Sequence, residues 1–239
     1  MTQAELADIV RRDGFAFARA ADVRGLLSGV ATAEPPGWAS FVQSWDNLLP
    51  DEFMADGGRY RLRRHAVLSA GPGAPRLEPP QPHYQSRDYN ALNGGVARWF
   101  EPIAADVIAG PAMARILGFG CGLFGRLRPG VPWKIELHQF RIEAKAGAPG
   151  LPTPEGVHRD GVDFALVLLV RRENVVSGTT TVHDLAGKSL GSFTLTEPFD
   201  AAIVDDARVM HGVTPVVPLD PSRRAYRDVL VATFLKKPV

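Results

Sequence analysis

Phe164-Ala165-Leu166-Val167-Leu168-Leu169-Val170 is apolar at every position. A strand sends successive side chains to opposite faces, so a run without a polar position predicts a central strand covered on both sides. Around it, from Trp133 onward, short β-branched or aromatic runs recur, separated by Gly, Pro, Asn or Asp. They are Lys134 to Ile142, Asp163 to Arg171, Val175 to Leu185, Ser189 to Thr196, Ala201 to Val204, Val213 to Val217 and Arg227 to Leu235. That spacing predicts an antiparallel sandwich or jelly roll, with Ala186-Gly187-Lys188 as one hairpin turn. No repeat of fixed period is visible.

Upstream the pattern is mixed. Thr2 with Glu5 three residues on forms a capping box, Leu6, Ile9 and Val10 share a helical face, and Gly14 stops the helix. Phe15 and Phe17 begin a short strand, and Asp22 to Val30 reads as a second helix ended by Glu34-Pro35-Pro36-Gly37. Residues 59 to 68 alternate as a strand, with Arg59, Arg61 and Arg63 on a face expected to be solvated. Gly71 to Pro82 holds five prolines and two glycines and predicts a surface loop or lid. Asn93-Gly94-Gly95 is a turn, Ala97 to Ile108 reads as a helix interrupted by Pro102, and Phe119-Gly120-Cys121-Gly122 as a tight bend. The expectation is a mainly β protein with flanking helices: one domain over 1–239, mixed to about residue 130, with the jelly-roll core over about 131–237.

Composition narrows the function classes. The chain has 239 residues, 27 Lys and Arg against 26 Asp and Glu, and a formal net charge of +1. Such a balance offers no general attraction to nucleic acid or an anionic membrane, and neither is expected as a partner. Cys121 is the only cysteine, which excludes an internal disulfide and a thiolate metal site and fits a reducing, cytoplasmic setting. The first residues carry charges throughout, and no uncharged apolar run approaches the length of a membrane span.

The chemistry concentrates in His158-Arg159-Asp160. In an extended segment His158 and Asp160 point one way and Arg159 the other. Chance alone would give a chain with 6 His and 26 Asp and Glu roughly 0.65 such triplets, so its context must carry the claim. Three things do: the triplet sits just before the most apolar run, His211 precedes another strand, and Arg227 opens the last one. His158, Asp160 and His211 together supply two imidazoles and one carboxylate, the set that leaves open positions on non-haem Fe(II). Arg227 at the head of Val229, Leu230 and Val231 is costly to bury unless it meets a carboxylate, and Asp228, its neighbour, points away.

His158-x-Asp160, His211 and Arg227 resemble the motif set of the Fe(II)- and 2-oxoglutarate-dependent dioxygenases. Further segments resemble a bacterial group of that family that includes isoleucine hydroxylases acting on free amino acids. These are Trp45, Asp56-Gly57-Gly58-Arg59-Tyr60-Arg61, Gly94 to Pro102, Leu137-His138-Gln139-Phe140-Arg141 and Val157 to Gly161, and the likeness runs from about Phe41 to Phe234. The resemblance implies a double-stranded β-helix, a cupin-like jelly roll. It implies Fe(II) on His158, Asp160 and His211, and 2-oxoglutarate as co-substrate with its distal carboxylate on Arg227. O2 would be consumed, succinate and CO2 released, and a hydroxyl placed on a small substrate, a free aliphatic L-amino acid. Arg223 and Arg224, in a Pro-rich turn, are rivals for the carboxylate, and His138 is a further co-substrate contact. Arg59, Arg61, Arg159, Asp163 and Glu136 are all chemically able to bind an amino acid. His183-Asp184, adjacent in a strand, reads as a surface pair. The loop Ala146 to Gly156 is, like 71–82, a candidate lid. Two alternatives stay open: a jelly-roll metal- or ligand-binding module without catalysis, and a dioxygenase acting on a peptide or another metabolite.

Overall fold

In the computed structural model, which describes residues 1–71 and 73–237, the apolar run is the middle of the protein. Pro72, inside the proline-rich loop, and the last two residues of the 1–239 range lie outside the described residues. In chain order the elements are α1 (Gln3–Asp13), β1 (Phe15–Ala18), α2 (Ala20–Ser28), α3 (Trp38–Gln43), β2 (Leu49–Pro50), β3 (Arg61–Ala70) and β4 (Arg76–Leu77). There follow α4 (Ala105–Ala109), α5 (Pro111–Leu127), β5 (Trp133–Ala144), β6 (Phe164–Glu173), β7 (Val175–Ser177), β8 (Thr179–Asp184) and β9 (Ser189–Thr194). The chain closes with β10 (Ala201–Asp205), β11 (Val209–Val213), β12 (Val216–Pro218) and β13 (Ala225–Lys236).

The large sheet runs β1-β10-β6-β13-β5-β3-β2, every neighbouring pair antiparallel, with β4 on β3. Facing it are β11-β8-β9 and the short pair β12-β7, which complete the jelly roll. β6 has two buried faces. Leu166, Leu168 and Val170 join Leu6, Val10, Ile116 and Phe124 in the main core under the helices, while Ala165 packs with Val182 and Val209 of the small sheet. Each buried Leu or Val contributes about 1.5–3 kcal/mol, which explains why no polar residue interrupts the run.

The amino-terminal predictions match closely. Thr2 and Glu5 form the reciprocal capping box, and Gly14 adopts φ 82, the left-handed cap its missing Cβ permits. Elsewhere tertiary contacts override local signals. Residues 97–104 are extended, not helical: Arg98 exchanges backbone hydrogen bonds with His83 at 2.9 Å, and His65 pairs alongside Pro102. The helices come later, and the expected bend at 119–122 is the middle of α5. Gly120 and Gly122 are contact surfaces, since a Cβ on Gly120 would stand 2.8 Å from Phe234 and one on Gly122 2.8 Å from Gln3 of α1. The Val175–Leu185 run breaks into β7 and β8, with Gly178 at positive φ between them. His211 does not precede a strand but sits inside β11, and the 213–217 run divides between β11 and β12. The arginine face of β3 is not solvated either: Arg61 and Arg63 are buried, pointing into the space between the sheets. No helix of the described residues is long and apolar enough to cross a membrane.

Candidate active site

His158 and His211 are tied together by their backbones before their side chains matter. Each donates its N–H to the other's carbonyl at 2.9 Å, an antiparallel bridge that brings the two rings together, tilted by 46°, with centroids 4.8 Å apart. Asp160, two residues on, returns to the same side. Its position is held by the fully buried Asp206, whose carboxylate accepts the N–H groups of Asp160 at 2.8 Å, Gly161 at 2.8 Å and Val162 at 3.1 Å. Gly161 sits at φ 80 with Tyr89 where a Cβ would be. The donor atoms of His158, Asp160 and His211 all lie within 4.8 Å of one another.

The electrostatics suit a cation. Burial alone would lower the His158 imidazole, but Asp160, Glu155 and the Gly156 carbonyl outweigh it and push it up to about 9. Burial lowers His211 to about 4, against the pull of Asp160. Burial would raise Asp160, yet the two imidazoles hold it well below the usual carboxylate range. His158 Nδ1 donates to the Gly156 carbonyl at 3.0 Å, a contact that fixes the tautomer and leaves Nε2 facing Asp160. His211 Nδ1 is buried without a partner. Two imidazoles and a carboxylate on one side, open on the other, fit an octahedral divalent ion such as Fe(II).

The open side faces a cavity of about 460 Å³ between the two sheets, with Arg227 in its wall. Arg227 is 2% exposed, its Nε has no partner, and no carboxylate among the described residues pairs with it. Burial, with Arg172 nearby, lowers it to about 10. Asp228 is on the opposite face, as alternation requires, and is held by Arg141 at 2.7 Å and Arg171 at 2.9 Å. Arg223 and Arg224, 63% and 62% exposed, pair with Glu173 and Glu143 outside the cavity. His138 lines the cavity, stacks between His65 and Phe140, and accepts from Arg63 Nη2 at 2.6 Å.

Of the residues considered for substrate, Arg59 is exposed, Arg61 is taken by Asp51 at 2.7 Å, and Asp163 accepts the Lys236 N–H. Arg159 donates to the Asp206 carbonyl and lies over Tyr89. His183 is a turn-side group near the Gly187 carbonyl, as its adjacency to Asp184 suggests. The segment 146–156 is pinned, Gly150 to Val216 by two backbone bonds and Thr153 to Val213. Sequence reasoning missed His83 and Arg98, which with Glu136 line the cavity, and His65, which hydrogen-bonds to Glu136 at 3.1 Å. His65 was signalled only by the alternation of 59–68, which gives parity but not which face is wet, whereas His83 follows the proline-rich loop and Arg98 falls in the stretch read as a helix.

A family model described as 2OG-Fe dioxygenase matches residues 42–233. L-isoleucine-4-hydroxylase of Bacillus thuringiensis is 27% identical over 159 residues, covering 65% of each chain, so just under two thirds of that relative is matched. 3(1)-hydroxy-L-isoleucine 4-dioxygenase of Pantoea ananatis is 23% identical over 198 residues, 81% of this chain and 79% of that one. The crystal structure of a bsmA homolog from Methylobium petroleophilum PM1 superposes with a TM-score of 0.88 at 38% identity, over 99% of this chain and 94% of that one. The match begins in α3, spans both sheets and ends in the last strand, and the chain belongs to the 2OG-Fe dioxygenase family, enzymes whose cofactors are Fe(II) and 2-oxoglutarate.

Proposed function

We propose that the protein hydroxylates a free aliphatic L-amino acid with turnover of 2-oxoglutarate to succinate and CO2. His158, Asp160 and His211 hold Fe(II), Arg227 receives the distal carboxylate of 2-oxoglutarate, and His138 lines the co-substrate's side of the cavity. Iron with 2-oxoglutarate and O2 supplies the oxidising chemistry. The chain supplies position and dryness: Asp206 fixes the metal-binding segment, the apolar walls of Val229 and Val231 exclude water, and Arg227 orients a dianion.

The observation that carries this reading is Arg227. A buried guanidinium without an anion is costly to keep, and it is supported where a bound ligand brings the missing charge. The relatives named for isoleucine substrates favour the amino acid, and a cavity of about 460 Å³ suits a small molecule better than a peptide. The test is twofold. Anaerobic addition of Fe(II) and 2-oxoglutarate should produce a visible charge-transfer band. A panel of the twenty amino acids should then reveal which ones stimulate succinate release. Absence of the band would overturn the cofactor site, and a silent panel would overturn the substrate class.

A further inference from the structure

Among the described residues five arginines are buried below a tenth exposure: Arg61, Arg63, Arg98, Arg141 and Arg227. Arg61 and Arg63 share Asp51, at 2.7 Å and 3.4 Å, and Arg141 has Asp228. Arg98 and Arg227 have no carboxylate among the described residues, and both line the cavity. Only Arg227 has a role so far. Arg98 is 2% exposed, its Nη2 donates to Gln85 Oε1 at 3.0 Å, and its Nε is buried without a partner.

The same wall carries the complementary orphan. Glu155 Oε1 lies 3.4 Å from Asn90 Nδ2 and 3.4 Å from His158 Nε2, but its Oε2 is buried and bonded to nothing. Asn90 Nδ2 also reaches Gln85 Oε1 at 3.3 Å, so one short network, Arg98-Gln85-Asn90-Glu155, holds a free cation edge and a free anion edge in one cavity. Gln85 Nε2 additionally donates to the carbonyl of Asp160 at 3.1 Å, which ties that network to the metal-binding segment.

Glu136, the remaining acid of the cavity besides the metal-binding Asp160, is already satisfied. It accepts from His65 at 3.1 Å, His83 at 2.6 Å and Lys134 at 2.6 Å. Nor does this cluster of three imidazoles and one carboxylate suit a second metal ion. Arg63 can only donate, so His138 Nδ1 accepts, and the ring then presents a proton at Nε2 toward Glu136 instead of a lone pair.

We propose that Arg98 and Glu155 form a zwitterion subsite, Arg98 binding the substrate's α-carboxylate and Glu155 its α-ammonium group. This rests on the amino-acid reading of the function and assigns it residues. An amino acid brings both missing charges at once, whereas a molecule with only one of them would leave the other orphan buried and unmet. The aliphatic side chain is then free to lie along the apolar wall.

The experiment uses the Fe(II)-loaded native protein, Arg98→Met, Arg98→Lys and Glu155→Gln. Succinate release is measured with each of the twenty amino acids and with the amide and N-acetyl forms of the strongest one. The native protein should respond to the free acid and reject both derivatives. In Arg98→Met and Glu155→Gln the KM for the amino acid should rise at least about tenfold, the scale of one charge-assisted contact, with partial recovery in Arg98→Lys. Half-saturating 2-oxoglutarate, read from the anaerobic band, should move less than about twofold, within the loss expected of a contact it does not make. An unchanged KM in the variants removes the subsite while leaving the amino-acid reading intact. Equal weakening of 2-oxoglutarate reassigns Arg98 to the co-substrate and overturns the proposal. Silence of the native protein toward all twenty removes the amino-acid reading and this subsite with it.

Discussion

Buried arginines with and without partners should respond oppositely to the same substitution. Arg227→Met removes an unpaired buried cation, so the ligand-free protein should gain about 1–3 kcal/mol of stability while losing at least about tenfold in 2-oxoglutarate affinity. Arg141→Met breaks the pair with Asp228 and should cost about 3 kcal/mol, the low end for a broken buried pair because Arg171 remains on the same carboxylate. Chemical denaturation of both variants beside a 2-oxoglutarate titration checks the contrast; a destabilised Arg227→Met would refute it. Asp206→Asn should lower iron affinity by roughly tenfold or more, since one amide oxygen cannot replace a carboxylate accepting three N–H groups. Arg227 was legible in the sequence because strand alternation alone denies it Asp228. Asp206 was not, because it lies 46 residues from Asp160 and no local pattern joins them. Arg61 and Arg63 misled for a related reason: alternation sorts side chains into two faces, and only the second sheet decides that theirs is the dry one.

At the scale of elements, α5 offers an internal control. Gly118 is exposed with open space where a methyl would stand, so Gly118→Ala should stabilise the protein by about 0.5–1 kcal/mol through backbone entropy. Gly120→Ala, two residues on, drives a methyl into Phe234 and should cost about 1–3 kcal/mol. Thermal unfolding of the pair decides it, and equal shifts would overturn the packing account. The same helix marks the limit of local reading. Its glycines look like breakers in the sequence, but Pro111 in its first turn and the packing of Gln3 of α1 and Phe234 of β13 against it make a 17-residue helix the better solution. The strands of the carboxy-terminal half were legible because β-branched runs between turn residues are a local signal. Their breaks were not: between β7 and β8 Gly178 takes a positive φ in a place where Val216 and Arg172, distant in sequence, leave no room for a Cβ.

The whole molecule carries an acid-sensitive interior. Burial lowers His65, His83 and His138 below their ordinary value near 6.5, and His211 to about 4. In that window the unfolded chain binds more protons than the folded one, so stability rises with pH and is lost as pH falls below about 6.5. His158, raised to about 9, has the opposite sign: its stabilisation is full below about 6.5 and is lost as pH climbs toward 9. The metal-free protein should therefore be most stable near neutrality, and its denaturant midpoint should drop between about pH 7 and about pH 5. A flat midpoint across that range would contradict the burial of the four imidazoles. The reciprocal backbone hydrogen bonds between His158 and His211 lead somewhere different. A zinc finger collapses when stripped because its ligands have no other tether. Here the hydrogen-bond ladder sets the ligand spacing, so dialysis against a chelator should leave an intact receptacle that can be refilled, including with inert divalent surrogates chosen as spectroscopic reporters.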